Sequence, residues 1–455
     1  MLPKSLLFAS VFLLLFRHAY AQTQSNPVLT GRIDSLLSSR FQADKPGCVV
    51  LVAKKGQIVF EKAYGSANLE LNVPIQTGMV FRLGSITKQF TAVAILQLLE
   101  QGKLSLQDSV QQYITDYPHK QYKITLENLL THTSGIPDYL QLDNPDPYIE
   151  RRDFTPEQLI SSFKDLPIQF APGSRFSYSN SGYVLLGRII EKVSGESYEG
   201  YIQKHLLNPL SISHTYFKTG GNIIPGLVNG YGKEGQVYKD AGEFSLSLAY
   251  SAGALLSNAE DLMKWEQGLY TYKLVKKATL EKATRSYLLT DGSAAGYGYG
   301  WYVNNTGGIR SIEHGGKISG FLTNEIYYPG EDILIVALFN SDDAPRDELS
   351  IALSSIVLGR NLQQAVTVPI AQLDQYTGTY ALSTNPRRTM TISRQNDYLS
   401  AAISGQETFQ LFFQSESKFQ LKGVTGADGE FILRNGKVSA MKINQNGTYI
   451  WNKVK

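Results

Sequence analysis

Residues 86–99 limit most tightly what this chain can fold into. Ile86, Phe90, Val93, Ala94, Ile95, Leu96, Leu98 and Leu99 fall on nearly every side of a 3.6-residue helix. A helix that is apolar all round must be enclosed by other elements. The chain therefore needs a core large enough to wrap it, and Gly102 offers a C-terminal stop. At the other end stands Phe81-Arg82-Leu83-Gly84-Ser85-Ile86-Thr87-Lys88. Positions three apart share a helix face, so the Ser85 hydroxyl and the Lys88 amine can touch. An amine so placed can help deprotonate an alcohol, the first requirement of serine acyl transfer. Ser85 would also serve as a plain N-cap. A capping box, however, prefers Glu or Gln where Lys88 stands. A cation in the first turn opposes the helix dipole at a cost of roughly 0.3–1 kcal/mol. The same field, together with burial, pushes a lysine pKa down toward that of a base.

The S-x-x-K spacing is cheap on its own. Ser161/Lys164, Ser415/Lys418 and Ser439/Lys442 repeat it. The first reads as mid-helix on an amphipathic surface. The other two fall in strand-like sequence, which has no i, i+3 face. Only Ser85 opens a buried helix.

The chain of 455 residues exceeds one ordinary domain, and 42% apolar with 18% charged residues suits a globular protein. Its first residues read differently. Lys4 precedes an apolar run from Leu6 to Phe16, and Ala19-Tyr20-Ala21 has the pattern of a cleavage site. A run that short falls well below the ~20 residues that span a bilayer, so residues 1–21 read as a secretory signal peptide. The mature protein is expected in the periplasm or outside the cell, with no transmembrane anchor. Cleavage removes Lys4 and Arg17, lowering the formal charge of +3 by two. That balance points to no nucleic-acid partner. The single Cys48 lies in a strand-like apolar run and reads as a small buried hydrophobe. Six scattered histidines, without H-E-x-x-H or a cysteine pair, call for no metal. No glycine-rich nucleotide loop appears either, so no cofactor is expected.

Strand patterns at Cys48–Ala53 and Gln57–Tyr64 join through Lys54-Lys55-Gly56 as a hairpin. A mainly helical middle follows, with helices at Leu126–Leu130, Gly182–Val193 and Ala259–Leu269. Strands return at Gly298–Asn304, Ile309–Glu313, Gly320–Tyr328 and Ile333–Asn340, and Arg346–Leu358 closes as a helix. The economical α+β solution is one antiparallel sheet built from both ends of the chain, flanked by helices, with an all-helical subdomain beside it. Residues 22–360 form this unit and 361–372 a connector. From 373 to 455, eight short alternating segments from Tyr376–Tyr380 to Tyr449–Lys453 predict a small all-β barrel or sandwich.

Two further stretches stand out. Tyr178-Ser179-Asn180 follows a turn and precedes the Gly182 helix, where Ser179 or Asn180 would equally act as a cap. Tyr302-Val303-Asn304 spells the same Y-x-N pattern within a strand. His314-Gly315-Gly316-Lys317 ends one strand and begins the turn to the next. Its glycines let backbone amides approach a ligand, and its histidine is placed to polarise a carbonyl, hold a carboxylate, or simply be hydrogen-bonded. In order and context, Ser85–Lys88, Tyr178–Asn180 and His314–Gly316 resemble the motifs of the penicillin-recognising serine hydrolases. That group includes class C β-lactamases, DD-peptidases, esterases and D-aminopeptidases. Leu129–Ile136, Ala252–Ser257 and Gly298–Trp301 extend the resemblance across about residues 30–360. The tail from Leu373-Asp374-Gln375-Tyr376 resembles the lipocalin-like barrel appended to some members.

The resemblance implies Ser85 as nucleophile, Lys88 as its activating partner, and Tyr178, as phenolate or through shared protons, as general base and then acid; it leaves open which of Lys88 and Tyr178 takes the serine proton. It implies that Asn180 holds the substrate amide carbonyl, and that the Ser85 and Lys317 amides form the oxyanion hole beside Gly315 and Gly316. His314 departs from the lysine usual in true β-lactamases, because imidazole is mostly neutral at pH 7. The H-G-G form resembles the esterase and D-aminopeptidase branch. The expected activity is acyl-enzyme hydrolysis of small esters, D-residue peptides or related amides, with a small molecule or short cell-wall peptide as partner. The alternatives are a genuine class C-type β-lactamase or DD-carboxypeptidase, and a catalytically silent wall-peptide binder or sensor. The intact Ser85, Lys88 and Tyr178 speak against the silent form.

Overall fold

The computed structural model describes residues 26–454 except 144, 145, 147, 219, 220, 307, 308, 361–367, 396, 397, 404–407, 414, 415, 422–426, 435 and 445–447. The expected signal peptide, most of the connector and Ser415 lie outside the described residues.

Strands from both ends of the chain meet in one antiparallel sheet. β1 (Cys48–Lys54) and β2 (Gln57–Tyr64) form the N-terminal hairpin. β3 (Tyr302–Thr306), β4 (Ile309–Ile318), β5 (Phe321–Tyr328) and β6 (Ile333–Phe339) form a meander. The spatial order is β3-β4-β5-β6-β1-β2. β1 closes the sheet against β6, with Cys48 opposite Phe339 and Lys54 opposite Ile333. Its side chains alternate between two cores, as strand geometry requires. Cys48, Val50 and Val52 face one cluster; Val49, Leu51 and Ala53 face the other. That is why β1 reads as an unbroken apolar run. Cys48 is fully buried, and burial pushes its thiol pKa up.

The helices that frame the sheet and the site are α1 (Pro27–Ser38), α2 (Thr87–Glu100), α3 (Asn180–Ser194), α4 (Leu246–Gly253), α5 (Ala259–Tyr270) and α6 (Arg346–Val357). α1 and α6 supply Ile33, Leu37, Leu349 and Leu353 to the outer core. α2 lies in the inner core, buried from Thr87 to Leu96. Phe90 stacks on Trp265 of α5 with ring centroids 3.8 Å apart. Emptying that position as Phe90→Ala would cost about 3–5 kcal/mol. Gly102, at φ +68°, turns the chain just beyond the helix.

Some elements differ from the sequence reading. β4 does not stop at Glu313 but runs through His314-Gly315-Gly316-Lys317 to Ile318. The glycines serve close packing inside the strand rather than a turn. β3 begins at Tyr302; Gly298–Trp301 closes as a turn through Gly298 N–H to Trp301 O. Ser161 ends the helix Pro156–Ser161 instead of lying in its middle, and Lys164 pairs with Asp116 at 2.8 Å.

The C-terminal segments form a closed eight-stranded antiparallel barrel, sealed where Tyr380 pairs with Lys453. A short helix, Ile370–Tyr376, starts within the expected connector and plugs the barrel. Its Leu373 and Tyr376 join the barrel core, where Tyr376 stacks on Phe431 at 4.1 Å.

Candidate active site

Ser85 sits in the tight turn Gly84–Ile86 that leads into α2. Unlike its neighbours Gly84 and Ile86 it is partly exposed. Two glycines set its surroundings. Gly84 has φ +56°, and a Cβ there would stand 3.0 Å from the Lys317 nitrogen. A Cβ on Gly316 would fall 1.9 Å from the Leu83 carbonyl oxygen. No side chain fits at either place, so β4 runs directly against residues 83–84. Thr323 of β5 ties this junction by donating to Leu83 O at 2.8 Å. The segments that carry the Ser85 and Lys317 amides are thereby packed backbone to backbone.

Lys88 follows one helical turn later and is fully buried. Its Nζ lies 3.1 Å from Ser85 Oγ, 2.8 Å from Asn180 Oδ1 and 2.8 Å from Ala252 O. Burial pulls its pKa down to about 7, against the opposing charge of Asp138. Near neutrality much of it is therefore a free amine with two protons and one lone pair. Ala252 O can only accept. Asn180 Nδ2 donates to Asp138 Oδ2 at 2.9 Å, which turns its Oδ1, also an acceptor, toward Lys88. Both amine protons are committed, and the lone pair is left facing the Ser85 hydroxyl. Tyr250 contributes to this arrangement: its φ of 41° and ψ of −133° break α4 two residues before Ala252.

Tyr178 precedes α3. Its hydroxyl is buried and has no hydrogen bond within ordinary limits. Burial and the neighbouring Tyr302 push its pKa well up, while the nearby Ser85 hydroxyl pulls the other way. At neutral pH it is a phenol, not a phenolate. Lys88 Nζ lies 4.7 Å from its ring centroid. His132 fixes the segment: its carbonyl accepts from Ser177 N, and its Nδ1 accepts from Ser179 N at 3.1 Å. Its ring lies 4.2 Å from that of Tyr178, so His132 is a scaffold for the tyrosine.

His314 faces the same cage, 6.2 Å from the Tyr178 ring. Its Nδ1 lies 2.7 Å from Gly315 O and so carries the ring proton. Nε2 then accepts from Tyr297 Oη at 2.8 Å. Burial and the Lys88 charge hold its pKa down at about 3. It is an uncharged imidazole with both nitrogens engaged. Gly315 and Gly316 lie in β4 beside it, and the Lys317 side chain points to solvent.

The structure thus brings Ser85, Lys88, Tyr178, Asn180 and His314 into one pocket. It adds Asp138, Ala252 O, Tyr297 and Tyr302, which the sequence reading did not select for chemistry. Asp138 also caps the short helix Tyr139–Gln141, accepting from Leu140 N. Tyr302, the second Y-x-N, stacks on Tyr178 at 6.5 Å with an interplanar angle of 3°. Among the described residues no cluster of three or more acidic, His or Cys side chains is arranged to hold a metal ion.

The family model "Beta-lactamase" matches residues 32–356. Penicillin-binding protein 4* of Bacillus subtilis (strain 168) is 28% identical over 426 residues, covering 88% of this chain and 93% of its own length. The octameric penicillin-binding protein homologue from Pyrococcus abyssi superposes with a TM-score of 0.64 at 27% identity, over 93% of this chain and 99% of that one. A D-stereospecific amidohydrolase from Streptomyces sp. shares the fold, with a TM-score of 0.62 at 24% identity over 72% of this chain and 99% of its own.

Proposed function

The chain belongs to the Beta-lactamase family of serine hydrolases, and from that premise we propose that it hydrolyses small esters and D-residue peptides or amides through an acyl-enzyme on Ser85. The observation that carries this reading is the saturation of the Lys88 amine. With both protons given to Asn180 and Ala252, only its lone pair is available to Ser85.

In this reading Ser85 Oγ attacks the substrate carbonyl while its proton passes to Lys88 Nζ. The Ser85 and Lys317 amides receive the charge that develops on the carbonyl oxygen, a type of contact worth about 2.7–4 kcal/mol per donor. Tyr178 protonates the leaving oxygen or nitrogen and regains a proton from the Lys88 ammonium. Water then repeats the sequence in reverse on the ester of Ser85. Asn180, held on both sides by protein, orients the amine first and meets substrate with whatever donor capacity remains.

Substrate preference follows from His314. A neutral imidazole with both nitrogens bonded offers no fixed cation for a substrate carboxylate. That favours esters and D-residue amides over β-lactams, whose carboxylate needs a partner. We further propose that residues 1–21 direct export, so that the reaction takes place outside the cytoplasm, where wall-derived D-residue peptides occur. The test is labelling of the purified protein with a fluorophosphonate, mass spectrometry of the labelled peptide, and rates on p-nitrophenyl esters, D-amino-acid anilides and a cephalosporin. Modification of Ser85 with ester or anilide turnover supports the reading. Labelling elsewhere, or none, overturns it.

A further inference from the structure

We infer that the C-terminal barrel is a positioning element of the catalytic centre, acting through the hairpin of residues 287–297. Among the described residues, the barrel's hydrogen bonds to this hairpin land on Asp291, Ser293 and Ala294. Tyr449 Oη accepts from Ala294 N at 2.9 Å. Arg388 Nη1 donates to Ser293 Oγ at 2.6 Å and lies 3.9 Å from Asp291 Oδ2. Asn385 Nδ2 donates to the same carboxylate oxygen at 3.3 Å. Asn385 and Arg388 lie on the strand Asn385–Gln395 and Tyr449 on Thr448–Lys453. Both strands pair with Gly378–Leu382, so the three side chains form one patch on the barrel wall. The contact is mostly dry: the Arg388 and Asp291 side chains are each 20% exposed, and Ser293 is buried. Burial also lowers the Arg388 pKa.

The gripped hairpin is cross-linked by its own backbone hydrogen bonds. Tyr287 N donates to Tyr297 O, Ala295 N to Tyr287 O, and Leu289 N to Ser293 O. Two links then run from it into the pocket. Thr290 N donates to the carbonyl of Gly173, in the turn that precedes Tyr178, and Gly173 N donates to Thr133 O beside His132. At the hairpin base, Tyr297 Oη donates to His314 Nε2, and the Tyr297 ring meets Tyr178 edge-on at 6.4 Å. A movement at residues 291–294 is therefore passed to both walls of the Tyr178 cage. Arg388 and Tyr449 are positioning residues; neither approaches the reacting atoms.

The inference rests on the Ser85 acyl-enzyme reading, so the two are separated in one experiment on the full chain. Wild type is first treated with a fluorophosphonate; absence of labelling defeats the acyl-enzyme reading and with it this one. Arg388→Ala with Tyr449→Phe is then compared with wild type on p-nitrophenyl butyrate. The expected result is a three- to tenfold fall in kcat and in the labelling rate, KM within twofold, and a pH profile whose acidic limb is displaced. Hydrogen exchange at residues 287–297 should rise while the melting temperature changes little. Arg388→Lys should restore part of the rate. Asp291→Asn, made from the other side of the contact, should lower kcat alone and add nothing further to Arg388→Ala. Faster exchange in the hairpin with kcat unchanged overturns the inference. So does a loss of rate that follows unfolding, with no difference among the molecules that remain folded.

Discussion

Lys88 and Gln89 are neighbours on α2, and each faces a buried polar site of a different kind. On the Lys88 side both amine protons have acceptors, and the partly exposed Ser85 stands beside them. On the Gln89 side Oε1 accepts from Trp265 Nε1 at 2.8 Å, while Nε2 has no bond within ordinary limits. Beyond it lies Glu325, fully buried with both carboxyl oxygens unpartnered. Burial pushes the Glu325 pKa up, and burial with the charge of Glu325 does the same to Glu266. Both sites avoid a buried charge, but by different means. The lysine is neutralised by losing a proton and becomes a base. The glutamates are neutralised by keeping theirs and become inert. Desolvation alone is thus not a sign of catalysis; the lone pair has to point at something that reacts.

The sharpest way to break this contrast is to remove the nucleophile. Ser85→Ala should lower kcat/KM by on the order of 10⁴-fold or more with the melting temperature nearly unchanged, and turnover close to wild type would remove Ser85 from the chemistry. Lys88→Met keeps the volume and deletes the base. It should slow acylation by about 10²–10⁴-fold, measured as the rate of fluorophosphonate labelling. A variant that labels at the wild-type rate would move the base elsewhere.

A finer test is the pH profile. The neutral amine is the reactive form, so kcat/KM should rise with pH through about 7. Asp138 holds the Lys88 pKa up, so Asp138→Asn should displace that limb to lower pH and cost about tenfold in rate. An unmoved limb would separate Asp138 from the lysine.

The smallest effect on activity belongs to the other side of α2. Glu325 has a folded-state pKa above its unfolded value of about 4.3, so its stabilising contribution is complete below that value and is lost as pH rises. Glu325→Gln cannot titrate. Relative to wild type it should gain up to about 1.4 kcal/mol per pH unit as pH rises above ~4.3, until the folded carboxyl ionises. Urea unfolding at pH 5 and pH 8 reads this difference, while ester turnover at pH 7 should stay within twofold. Parallel stability slopes for the two proteins would show that the carboxyl is not held protonated.

Much of this architecture was legible beforehand. The unbroken apolar run of Cys48–Ala53, the all-round apolar face of residues 86–99 and the short alternating segments after 373 are local patterns; they became a strand, a buried helix and the strands of the barrel, except that Tyr376 closes a helix and the first barrel strand begins at Gly378. Ser85 and Lys88 were readable because one helical turn joins them. His314 was readable as a residue and as mostly neutral, but which of its nitrogens carries the proton was not. That depends on Gly315 O and on Tyr297, whose hydroxyl reaches it only through tertiary folding. Asp138 was hidden for a similar reason, since its link to Lys88 passes through Asn180, 42 residues further along the chain. The strand through Gly315 and Gly316 read as a turn because glycine signals both a bend and a close approach. Only the Leu83 carbonyl, pressed against the strand, distinguishes the two.

By itself the order of residues determined which groups can share a helical turn, which runs must be buried, and where a hydroxyl and an amine are forced together. Those are interactions within a few residues, set by helix and strand geometry. The tertiary structure alone decided which way each proton points. That choice depends on acceptors contributed by Ala252 of α4, by Asn180 at the start of α3 and by Gly315 of β4, and on burial that no local pattern can measure.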